Sequence, residues 1–60
     1  MEVDISIPKE YLEKSGAFQL GYLFRLNNVS KKDNPYDLWT QYQYWMDWQT
    51  GWYKALEDRN

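Results

Sequence analysis

A chain of 60 residues that contains neither cysteine nor histidine must hold itself together by packing alone. Disulfide staples and thiolate zinc sites are excluded, and the usual metal ligands reduce to scattered carboxylates. The length suits one domain, residues 1–60, and so short a chain buries a smaller fraction of its surface than a longer one does. The burden falls on rings: four Trp, six Tyr and two Phe make up 20% of the residues. Side chains of this kind supply core or interface area, so either the core is built of rings or some of them face a partner.

Two amphipathic stretches organise the chain. Pro8 suits a first helical turn, with Glu10 and Glu13 near the positive end of the helix. Tyr11, Leu12, Ser15, Phe18, Tyr22, Leu23 and Leu26 then recur at helical spacing, which predicts helix one over about residues 9–26. Gly16 and Gly21 lie inside it, each costing about 1 kcal/mol of propensity relative to Ala, and a break near Ser15-Gly16 is the main alternative. Asn27-Asn28 provides an exit, because Asn tolerates the left-handed conformation that ends many helices. After a short polar connector, Asn34-Pro35-Tyr36-Asp37 reads as a helix start, with Asn34 as cap and Pro35 in the first position.

Helix two is predicted over about residues 35–57. Leu38, Tyr42, Trp45, Trp52 and Leu56 mark one face, with Trp48 beside it, while Trp39, Met46 and Tyr53 form a neighbouring strip. The apolar surface exceeds what one partner helix covers. Gly51 interrupts the helix where propensity disfavours it, and its expected use is close backbone approach; relief of crowding between Trp48 and Trp52 is the alternative. The expected fold is all-α, an antiparallel two-helix hairpin. Ahead of it, Val3, Ile5 and Ile7 alternate with Asp4 and Ser6, so residues 1–7 read as an arm with extended periodicity. The first reading of this pattern is an arm that packs one face on the domain; the alternative is a strand offered to a partner's sheet edge or to a second copy of the chain.

The ordered motifs resemble those of the ribosome modulation factor family, with its short phage, plasmid and bacterial relatives. Ala17-Phe18-Gln19-Leu20-Gly21-Tyr22 is similar to that family's first-helix block; Ser30-Lys31 and Pro35-Tyr36 follow in order; and Trp48-Gln49-Thr50-Gly51-Trp52-Tyr53-Lys54-Ala55-Leu56-Glu57-Asp58-Arg59 is similar to its ending. The resemblance spans residues 17–59. It implies two helices joined by a linker, and a protein that binds the small ribosomal subunit and inhibits translation. The family is strongly basic, whereas this chain carries a formal net charge of -2.

Charge then bears on the partner. The first thirty residues hold three basic and four acidic groups and the last thirty hold four and five, so no basic stripe offers a long phosphate footprint. Arg25, Lys31 and Lys32 form the concentrated basic patch, where an RNA contact would form. Trp39, Tyr44, Met46 and Trp48 are the side chains expected to meet a partner, by stacking on bases or by anchoring a protein. Gly21, Tyr22, Asn34, Pro35, Tyr36, Trp45, Gly51, Trp52 and Ala55 are read as structural.

Catalysis is not expected: the serines lack a histidine partner, no cysteine exists, and the carboxylates fall on predicted exposed faces. Asp47, Glu57 and Asp58 read as solvated helix surface rather than a weak cation site. No metal and no cofactor are expected. No window approaches a transmembrane helix, and Met1-Glu2-Val3-Asp4 is unlike a secretory signal, so the cytoplasm is the expected compartment and a membrane is not an expected partner. The expected function is regulation of a larger assembly through protein contacts. Binding to the ribosome or its RNA is the runner-up, and a structural homo-oligomer the third reading.

Overall fold

The computed structural model describes residues 7–59, so residues 1–6 of the expected arm lie outside the described residues, and Ile7 has no regular structure. Helices α1, Gly16–Leu26, and α2, Tyr42–Arg59, pack against each other, and the described residues contain no strand. The expected all-α hairpin is therefore the architecture. Phe18 on α1 meets Gly51, and Gly21 meets the earlier Trp48, so the two helices run antiparallel at their closest approach.

Helix one starts later than continuous periodicity predicts, at the break near Ser15-Gly16 that stands as the alternative. Lys9–Tyr11 forms only a 3-10 turn, and α1 begins at Gly16, after Ser15 in extended conformation. The reason is local: the Ser15 hydroxyl accepts the Phe18 N–H at 3.2 Å, capping the new helix, and the Gln19 side-chain amide donates to the carbonyls of Leu12 and Lys14. The corner lays the Tyr11 ring back on Phe18 and Tyr22, with centroids 5.3 and 5.2 Å apart. At the other end Asn28 adopts a left-handed φ of 64°, while Val29 N–H reaches the Phe24 carbonyl and Asn28 N–H the Arg25 carbonyl. This is the paired closure of a Schellman motif, and the Asn27-Asn28 exit lies where the sequence placed it.

Helix two also starts later, at Tyr42 rather than near Pro35, and runs to Arg59. Asn34, expected to cap it, and Asp37, expected in its first turn, close tighter turns instead. Asn34 Oδ1 accepts the Tyr36 N–H at 2.9 Å, Asp37 Oδ1 accepts the Trp39 N–H at 2.7 Å, and the Gln41 side chain accepts the Asp37 N–H at 3.0 Å. Each such bond offers the backbone an alternative to the helical ladder, so Pro35 begins a turn and not a helix. Asn34 Nδ2 also donates to the Trp45 carbonyl at 3.1 Å, which ties this connector to α2.

Small residues determine how closely the helices approach. Ala17 and Gly21 on α1, and Gly51 and Ala55 on α2, are all buried, each pair one helical turn apart. A methyl group on Gly21 would lie 2.8 Å from the Trp48 carbonyl carbon, and one on Gly51 would lie 2.8 Å from that of Phe18. The inter-helix seam is backbone against backbone. Around it, Phe18, Tyr22 and Trp48 are buried, and Trp48 and Tyr22 have no exposed surface. The predicted face is thereby rotated: Leu38 and Tyr42 are exposed, and Trp45, Trp52 and Leu56 are half-buried at the flanks.

Candidate functional site

The first turn of α2 is surrounded by rings that the hairpin does not cover. Trp39 is 88% exposed, Tyr42 and Tyr44 more than half exposed, and Leu38 and Met46 also exposed. The turns of residues 34–41 place these groups, because they deliver the chain to Tyr42 with Trp39 already held on the Asp37 carboxylate. Two ring pairs stiffen the surface. Tyr36 packs on Tyr44 with centroids 5.6 Å apart, and Tyr42 stacks on Trp45 at 6.4 Å with an interplanar angle of 19°. Rings held in pairs lose less rotamer freedom on binding than free ones, the condition that makes an aromatic surface a good anchor.

Trp48 belongs elsewhere. Sequence reasoning grouped it with the partner-facing rings, but it has no exposed surface, and its ring meets Phe24 edge to face at 5.8 Å. The physical reason is the seam: Gly21 and Gly51 bring the backbones so close that Trp48 is enclosed beside the crossing. Its indole N–H has no hydrogen-bond partner, nor has the buried Nε of Arg25.

Two cations of the expected basic patch are engaged with rings of α2. The Arg25 guanidinium lies over the Trp52 ring at 5.5 Å from its centroid, and the Lys31 ammonium lies over the Tyr53 ring at 5.2 Å while bonding its hydroxyl. Trp52 and Tyr53 are themselves perpendicular neighbours, with centroids 5.2 Å apart, and the Trp52 indole donates to the Val29 carbonyl at 2.7 Å. Two of the three patch cations thus fasten the α1 exit to α2. Lys32 is exposed.

The three acidic residues weighed as a weak cation site are likewise apart in role. Asp47 accepts from Ser15 and Gln43, each at 2.9 Å; Glu57 lies 4.0 Å from Lys54; and Asp58 Oδ2 accepts the hydroxyls of both Tyr11 and Tyr22 at 3.0 and 3.1 Å. Among the described residues no group of acidic side chains is arranged to hold a metal ion. Likewise, no helix there is long and apolar enough to cross a membrane.

The Asp58 clamp escaped the sequence reading, since nothing in local spacing links it to Tyr11. Partial burial and then the Asp58 carboxylate push the Tyr11 phenol up to about 12, and the same two causes raise Tyr22, opposed by Arg59. A phenol raised in the folded state contributes stability in full below its unfolded value near 10, and that contribution is lost as pH rises through the folded value. The urea midpoint of the wild-type protein should therefore fall more steeply between about pH 10 and 12 than that of Tyr11→Phe. Equal slopes would show that the clamp does not couple folding to phenol ionisation.

No protein-family model, characterised protein or solved structure matches this chain.

Proposed function

We propose that this protein is a non-catalytic, cytoplasmic regulator that docks on a larger macromolecular assembly mainly through protein contacts. The observation that supports this reading most is the exposure of rings at and just ahead of the first turn of α2, Trp39 above all at 88%. Large rings in soluble proteins are concentrated in cores and interfaces, and Trp and Tyr are the side chains most enriched among residues that dominate binding energy. The distribution of the cations favours the same reading. Arg25 and Lys31 lie on Trp52 and Tyr53, which weakens their claim to a phosphate backbone.

Ribosome binding of the kind the motif resemblance implies is the second reading, and exposed Lys32 beside Lys31 is the feature that favours it. Affinity capture with the tagged full chain from native cells, with and without nuclease treatment, separates the two. Protein docking predicts a partner retained after nuclease and lost with Trp39→Ala. A partner released by nuclease and retained by Trp39→Ala supports RNA binding instead.

A further inference from the structure

We propose that the ring-bearing start of α2 docks a basic protein segment, one carrying arginines or lysines, an inference that rests on the protein-docking reading above. From Asn34 to Tyr53 the sequence contains no Lys or Arg, while Asp37 and Asp47 both fall within it. The exposed rings Trp39, Tyr42 and Tyr44 lie inside this cation-free stretch. A ring face is negative and attracts cations, Trp most strongly, and a neighbouring carboxylate adds ordinary Coulomb attraction.

The molecule itself uses this chemistry further along α2. There Arg25 covers Trp52 and Lys31 covers Tyr53, so the rings on that part of the helix already have cationic partners. Ahead of the first turn, Trp39 has Asp37 as its near neighbour, whose carboxylate accepts the Trp39 backbone N–H at 2.7 Å. The helix N-terminus carries a partial positive charge of about one half, which the full negative charge of Asp37 outweighs. A phosphate backbone would meet that carboxylate unfavourably, whereas an arginine can stack on Trp39 and pair with Asp37 together.

Titration of the full chain with an alternating Arg-Gly peptide, followed by amide and indole NMR shifts, tests the proposal. The same peptide with Gln in place of Arg, and oligouridine, serve as comparisons. The Arg-Gly peptide should shift the Trp39 indole and the amides of residues 36–46. Trp39→Ala should weaken binding about tenfold, which is within the range of a desolvated cation–ring contact. Asp37→Asn keeps the acceptor for the Trp39 N–H but removes the charge, and should also weaken binding. Absence of Arg-Gly binding, or shifts confined to residues outside 36–46, overturns the proposal. Equal binding of the Gln peptide at the rings overturns the basic partner but leaves protein docking standing. Preferential binding of oligouridine at the rings overturns both.

Discussion

Gly51→Leu should unfold the protein or lower its melting temperature by tens of degrees, although Leu is the better helix former by about 0.8 kcal/mol. The first carbon of any side chain at this position would lie 2.8 Å from the Phe18 carbonyl carbon and 3.1 Å from the Tyr22 nitrogen. These are backbone atoms of the opposing helix, so no rotamer change relieves the overlap, and the helices must separate. Separation uncovers Phe18, Tyr22 and Trp48 together. A domain this size has a total stability of only about 3–9 kcal/mol, and each 1 kcal/mol shifts melting by roughly 4–8 °C. Gly21→Ala should destabilise for the reciprocal reason, since its methyl would overlap the Trp48 carbonyl. Gly16→Ala supplies the control: nothing lies within 4 Å of the position, and stability should hold or rise by up to about 1 kcal/mol. Thermal melts by circular dichroism rank the three. A Gly51→Leu protein as stable as wild type would remove the close crossing from this account.

Trp48→Ala should cost about 3–5 kcal/mol, the range for removing a fully enclosed large ring and a large share of the total stability of a domain this size. The ring has no exposed surface and packs beside the glycine seam, where neighbouring backbone is too constrained to collapse into the gap. Trp48→Phe should be far milder. It keeps a ring against Phe24 and removes an indole N–H that is buried without a partner, a group whose desolvation costs about 1–3 kcal/mol. Urea denaturation of the two variants measures the difference. If Trp48→Ala were as stable as Trp39→Ala, Trp48 would have to be returned to the surface.

How much of this was legible depended on whether the deciding contact was local. The two helices, the Asn27-Asn28 exit and the closeness required at Gly51 all follow from spacing and residue type. The helix starts were less plain: the break near Ser15-Gly16 stands in the sequence as the alternative to continuous periodicity, and it is where α1 begins, whereas the start of α2 at Tyr42 is not signalled. The break prevails because the Ser15 hydroxyl caps the Phe18 N–H, and the same hydroxyl donates to Asp47 across the hairpin. Asn34-Pro35-Tyr36-Asp37 has the composition of a helix start, yet Asn34 and Asp37 close turns two residues ahead, held by Gln41 and Trp45. The core face was misplaced because periodicity weighs large side chains, whereas the seam is set by Gly21, Gly51, Ala17 and Ala55. Trp48 followed from that error. Trp39, Tyr44 and Met46 are exposed, and the Asp58 clamp depends on a contact 47 positions away that no local pattern encodes.

On the proposed reading, exposed rings, rather than the lysine pair, carry the energy of docking. The most direct measurement of this is equilibrium binding of the purified native partner to wild type, Trp39→Ala and Lys31→Ala/Lys32→Ala at two salt concentrations, after circular dichroism has shown each variant folded. Trp39 is almost fully exposed, so its removal leaves the core untouched. Trp39→Ala should weaken binding by about 2 kcal/mol or more, roughly thirtyfold, as loss of an anchoring ring does. The lysine pair should have the smaller effect and change the salt slope only slightly. If the lysine variant abolishes binding, the salt slope is steep and folded Trp39→Ala binds as wild type does, the account is contradicted and ribosomal RNA becomes the target.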